Sequence, residues 1–162
     1  MKIETAQYAL FALLAILLVT ACVTDWRRRE IDNWLNTVIA ALALVFWLVS
    51  GMPFWPDIAT QVGMAALVFA IFAGFFALGA MGGGDVKLLG ALALWFAPLD
   101  MMWLLIVMSI IGGVLTLFMI LRQKWMKLEG KPEIPYGIAI ALAGLWLIYE
   151  RNLNQFSALM QS

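Results

Sequence analysis

Six uncharged apolar runs, separated by short polar breaks, organise the chain. They are Thr5–Thr24, Asn33–Pro56, Ile58–Gly84, Leu88–Leu99, Met101–Leu121 and Ile134–Tyr149. A helix needs about 20 predominantly apolar residues to cross the hydrocarbon of a bilayer. Five of the runs approach that length, and the third is long enough to cross with tilt. The fourth holds only twelve residues, a length that by itself suggests a buried or re-entrant helix.

The placement of positive charge arbitrates. Arg27, Arg28 and Arg29 follow the first run, Lys87 precedes the fourth, and Arg122, Lys124, Lys127 and Lys131 follow the fifth. The breaks "GMPFWPD" and "APLD" contain neither Lys nor Arg. If all six runs cross, these eight basic residues share one side, the cytoplasm by the positive-inside rule, with both termini on the other side. If the fourth does not cross, the four charges after the fifth run land outside. The expected fold class is therefore all-α: a polytopic membrane protein with six transmembrane helices, residues 1–162 forming a single integral-membrane domain. The fourth helix is expected to borrow Asp85–Lys87 at one end and Pro98–Met101 at the other. The eight tryptophans fall mostly near run ends, as interfacial belts require.

Composition sharpens this reading. The chain is 65% hydrophobic, 12% charged and neutral overall, whereas soluble domains are about 45–50% apolar and about 25% charged. Zero net charge gives no overall field for nucleic acid. There is no histidine and one cysteine, Cys22, so no internal disulfide is possible and no metal or other cofactor is expected. "VTAC" before Arg27 resembles a lipoprotein cleavage box, but the basic residues follow the apolar run instead of preceding it, which argues against export.

The remaining candidates for chemistry are carboxylates. Asp25 closes the first run, and Asp85 follows three glycines, Gly82, Gly83 and Gly84. Two carboxylates brought together cannot both ionise cheaply and share one proton. The ionised member can then activate water while the protonated member polarises a carbonyl. Asp85 at a helix N-terminus would benefit from the dipole and Asp25 at a C-terminus would not, so Asp85 is expected to be the more acidic. The glycines would give an extended substrate close access and permit unusual dihedrals. Against this stands a plain alternative, a helix cap at Asp85 and a solvated Asp–Arg edge at Asp25. Asp32 is a spectator or a substrate contact, Lys87 a partner for an aspartate or a lipid phosphate, and Gly112–Gly113 a close helix contact.

Three stretches together, "TDWRRREIDNWLN" (24–36), "GGGDVKLLGAL" (82–92) and "IPYGIAIALAG" (134–144), resemble the type IV prepilin peptidases, in particular the short membrane-only form serving Flp-type, tight-adherence pili. The resemblance implies a six-helix aspartic protease of the bacterial inner membrane, multi-pass, whose active site faces the cytoplasm and which cuts the basic leader from prepilins after a glycine. It implies catalytic roles for Asp25 and Asp85, the G-x-G-D glycines at Gly82 and Gly84, and supporting roles for Asp32, Asn33, Lys87, Pro135, Tyr136 and Gly137. Prepilin, membrane lipid and the pilus assembly machinery are the implied partners. Asp32 departs from the family pattern, where proline often precedes the Asn-Trp pair. The larger members carry an insert with paired cysteines and methylate the new N-terminus; no such insert is present here, which leaves methylation without support. The alternatives are a non-catalytic assembly factor of a pilus or secretion system, and a small transporter using the two acids for proton coupling.

Overall fold

The computed structural model describes residues 2–126 and 134–160. Among these, all regular structure is helical. Six helices follow in order: α1 (Lys2–Arg28), α2 (Asn33–Val49), α3 (Ala59–Ala77), α4 (Gly83–Ala93), α5 (Pro98–Met126) and α6 (Tyr136–Met160), with a π-helical turn at Phe54–Ile58 before α3. Three stretches, Ile3–Arg28, Phe54–Ala77 and Pro98–Met126, are long and apolar enough to cross a membrane. Their outward faces carry large exposed apolar residues such as Ile16, Ile71, Phe76, Ile110 and Phe118, an arrangement suited to lipid.

The helix boundaries differ from the apolar runs for local reasons. The second run breaks at Gly51, whose φ of 61° ends α2. The third run is two elements: α3 stops at Ala77, Gly79 turns with a φ of 71°, and Gly83 and Gly84 already belong to α4. Pro98 does not extend α4 as expected; it opens α5, because its missing N–H costs nothing at the first helical position. α4 therefore has 11 residues and a length of about 16 Å, roughly half the hydrocarbon thickness. The charges Lys127, Glu129, Lys131 and Glu133 lie outside the described residues.

α4 sits at the centre, packed against α2, α3, α5 and α6. Asp85, Val86, Leu88, Leu89, Ala91, Leu92 and Ala93 are all buried, so this short helix is apolar nearly all round beyond its first turn. Its far end is closed by aromatics. Trp47 donates its indole N–H to the Leu94 carbonyl at 3.0 Å, and Trp95 donates to the Ile39 carbonyl at 2.9 Å. Phe11, Phe46 and Trp95 pack with centroids 5.1–5.8 Å apart. Trp47 and Trp95 are thus core residues instead of belt residues, since each finds a carbonyl for its N–H and buries its ring. Trp26, Trp34, Trp55, Trp103, Trp125 and Trp146 are exposed.

Candidate active site

Asp25 is in the last turn of α1 and Asp85 in the first turn of α4, and both are buried, at 4% and 8% exposure. The glycine loop explains how Asp85 is held. Gly82 is the N-cap and Asp85 the third helical residue, where an acid can reach back to the N-cap N–H; Asp85 takes that bond from Gly82. None of Gly82, Gly83 and Gly84 has positive φ, so unusual dihedrals are not their purpose. Space is. A Cβ on Gly84 would stand 3.1–3.3 Å from the Cβ, O and N of Ile31, one on Gly82 would stand 3.0 Å from the Asp85 carboxylate, and one on Gly83 would stand 3.3 Å from the Phe76 ring.

Asp25 is met by the start of α6. The Ile138 N–H donates to its Oδ2 at 3.0 Å, and Gly137 gives a second backbone bond. A Cβ on Gly137 would lie 2.8 Å from Asp25 Oδ2 and 2.6 Å from Ile31 Cδ1, so only glycine lets α6 approach this closely. Pro135 is buried just ahead of the helix, and Tyr136 begins it. The N-terminus of α6, with its backbone amides and positive dipole end, thus faces an acid that stands at the C-terminus of its own helix. Arg29 adds positive charge near Asp25 and lies over the Trp26 ring at 5.9 Å.

Ile31 joins the two halves. Buried at 7% exposure, it fills the space left by Gly84 on one side and Gly137 on the other. The Asp25 charge is felt at Asp85. Burial first, and then that charge, push Asp85 up to about 7, against the lowering effect of the Gly82 bond. The dipole advantage expected for Asp85 does not prevail: desolvation and a like charge outweigh the dipole of a short helix. Asp25 accepts two backbone N–H bonds and has Arg29 close by, contacts that Asp85 does not share.

The other residues singled out in the sequence divide. Asn33 opens α2 and its Oδ1 accepts from Lys87 Nζ at 2.7 Å, so Lys87 pairs with an amide and not with an aspartate. Asp32 pairs with Arg28 on the surface and makes no side-chain cap to α2. Gly112 packs on Tyr136 and Ala139, while Gly113 meets nothing within 4 Å and faces an open groove between α3 and α5. Asn36, Ile31 and the α6 amides were not singled out in the sequence. Asn36 carried a signal, a polar residue one turn into an apolar helix; its amide donates to the Gly84 carbonyl at 3.2 Å. The α6 amides carried none, because backbone donors have no letter. Among the described residues no group of three or more His, Cys, Asp and Glu side chains is placed to hold a metal ion.

Comparison with known proteins yields one result. Neither the curated proteins nor the solved structures gave a match. The model of the type IV leader peptidase family, however, matches residues 12–117, more than half of the chain, from within α1 through most of α5 and across both aspartates. The chain belongs to the type IV leader peptidase family.

Proposed function

We propose that this protein is a membrane aspartic endopeptidase that removes the leader peptide from Flp-like type IV prepilins, with Asp25 and Asp85 as its catalytic pair. The observation that carries the reading is the burial of both carboxylates, one at the end of α1 and the other at the start of α4, with Ile31 packed against Gly84 and Gly137 and the α6 N-terminus closing on Asp25. With one proton between them, the chemistry balances. Ionised Asp25 takes a proton from water as the oxygen attacks the scissile carbonyl carbon, and protonated Asp85 gives its proton to the carbonyl oxygen. In the collapse, the C–N bond breaks, the proton on Asp25 passes to the leaving amine, and Asp85 recovers its proton from the hydroxyl.

The positive-inside argument supports a bacterial inner-membrane location with this end of the bundle at the cytoplasmic face. Residues 1–162 then form one six-pass domain, in which α4 and its following turn make the short fourth pass and Asp85 lies at its mouth. Gly82, Gly84, Asn33, Lys87, Pro135, Tyr136 and Gly137 shape the pair's surroundings; Asp32, engaged with Arg28, is a peripheral contact for a basic leader. Prepilin is the substrate, and the pilus assembly machinery consumes the product.

The test is processing of the cognate prepilin in cells. Asp25→Asn and Asp85→Asn each leave the precursor uncut while the protein still accumulates in the membrane, and Asp32→Asn still cuts. Normal processing by either single variant would sink the reading. Pilus assembly that persists in both variants would favour the assembly-factor alternative.

A further inference from the structure

Three arginines follow one another at the end of α1, and they are not alike. Arg27 and Arg28 are exposed, and Arg28 is engaged with Asp32. Arg29 is half-buried and carries two costs that its neighbours avoid. Its φ of 58° makes it the one non-glycine residue with left-handed backbone among the described residues. It stands just past the end of α1, where glycine is the usual occupant of that conformation. Its Nη1 is buried with no hydrogen-bond partner, and taking a guanidinium nitrogen from water without an acceptor is unfavourable.

Both costs serve one placement. The turn keeps the Arg29 N–H on the Asp25 carbonyl at 3.0 Å and returns the side chain across the last turn of α1. There the guanidinium lies 5.9 Å from the centroid of the Trp26 ring, within reach of cation–π attraction. The charge is held on the acid-bearing turn, and among the described residues it is the one cation felt at Asp25. The other groups turned to that carboxylate are the Gly137 and Ile138 amides of α6, Asp85 of α4 and the Cys22 thiol on its own helix. None of them carries a positive charge. Unfavourable local geometry persists where the surrounding structure holds it in place, often at sites of function. Glycine at this position would remove both costs, and the charge with them.

We infer that Arg29 is a positioning residue for cleavage: it acts through Asp25, fixing one positive charge beside the carboxylate that must be ionised for water to be activated. The inference rests on the role proposed above for Asp25, and adds the residue that serves it.

Two measurements on the full chain in phospholipid nanodiscs keep the protease reading and the role of Arg29 apart. The first is steady-state cleavage of a peptide spanning the scissile bond. Arg29→Gln is expected to lower kcat about ten-fold, the order of effect of one charge on a partly buried neighbour, with KM unchanged. Arg29→Lys keeps most of the activity, and Arg27→Gln, which removes an exposed charge from the same turn, leaves kcat as it was. Arg29→Gly should melt above Arg29→Gln, since glycine accepts the left-handed backbone, yet cut no faster. The second measurement is a melting-temperature cycle that needs no activity. Arg29→Gln should cost the wild type more than it costs Asp25→Asn, because the two charges are coupled. Normal kcat in Arg29→Gln, or additive melting shifts, overturns the inference and leaves the Asp25–Asp85 pair standing. Activity that rises with melting temperature from Arg29→Gln to Arg29→Gly makes Arg29 a structural residue alone, and a change confined to KM makes it a substrate contact. Either result overturns the positioning role. A wild type that cuts nothing, with coupled melting shifts still present, removes the protease reading and reduces Arg29 to a charge partner within the fold.

Discussion

The two ends of α4 solve opposite problems with opposite materials. At its start, three glycines and Gly137 remove side chains beside Asp85, Phe76, Ile31 and Asp25, and the Ile138 amide of α6 reaches Asp25. At its finish, Trp47 and Trp95 fill the space and use their indole N–H groups to bond carbonyls of Leu94 and Ile39. One end is tight because nothing is there to obstruct it; the other is tight because bulk has been added. Polar groups are concentrated where the packing is made by absence, and the bulky end is a stable anchor for the reactive one.

Substitution at the acids costs the most activity. Positioned acid–base groups contribute about 10²–10⁴-fold, so Asp25→Asn and Asp85→Asn are expected to lose at least that much cleavage of a peptide spanning the scissile bond. Neither loss is accompanied by unfolding, since the amide keeps the shape of the carboxyl. pH separates the two ends further. Asp85 is raised towards 7 in the folded protein, so it holds its proton more tightly folded than unfolded. Its contribution to stability is complete below the ordinary carboxylate range, and is lost as pH rises towards and through about 7. Cleavage should fall on the same alkaline limb as Asp85 loses the proton it must donate. Thermal unfolding measured from pH 4 to 8 should show this decline in the wild type and a flatter profile in Asp85→Asn; an identical slope in both would remove Asp85 as the source.

At the other end the expected loss is in stability. Trp95 is 1% exposed, and truncating a buried aromatic to alanine costs about 3–5 kcal/mol. Trp95→Ala should lower the melting temperature without changing the pH dependence of cleavage, because the acids are not its neighbours. Gly137→Ala lies between these cases. Its new methyl would push against the Asp25 carboxylate and Ile31, at about 1–3 kcal/mol for overpacking, and should also depress kcat by displacing Asp25. Gly113→Ala, where nothing lies within 4 Å, is the control that should leave both measurements unmoved. An inactive but fully stable Gly137→Ala would mean that the backbone yields and only the acid's position matters.

The sequence displayed the apolar end of this logic poorly and the polar end well. Apolar runs located the helices because crossing a bilayer demands them, and Asp25 and Asp85 stood out because charge is rare in such a chain. Asp85 was misjudged in acidity since helix position is local, whereas burial and the Asp25 charge come from the fold. Trp47 and Trp95 read as interfacial residues because tryptophan suits both a lipid boundary and a core that offers a carbonyl. Ile31 was invisible for a different reason: its role is to match the absence of two side chains, Gly84 and Gly137, that lie far from each other in sequence.

The smallest expected effect tests how the two helices that frame the acid loop are tied together. Asn36 reaches from α2 to the Gly84 carbonyl at 3.2 Å, one residue before Asp85, and a single such bond is worth about 0.5–1.5 kcal/mol. Asn36→Ala removes the bond but also removes a buried acceptor that has no protein donor, and the second effect offsets part of the first. Net destabilisation of roughly 1 kcal/mol or less is therefore expected. Activity should respond more than stability, because the freed carbonyl belongs to the helical turn that holds Asp85. A fall in kcat with KM and melting temperature nearly constant, restored by Asn36→Gln if the longer amide reaches Gly84, would identify Asn36 as a positioning residue. A variant that loses stability and activity in proportion would make it part of the α2–α4 packing alone.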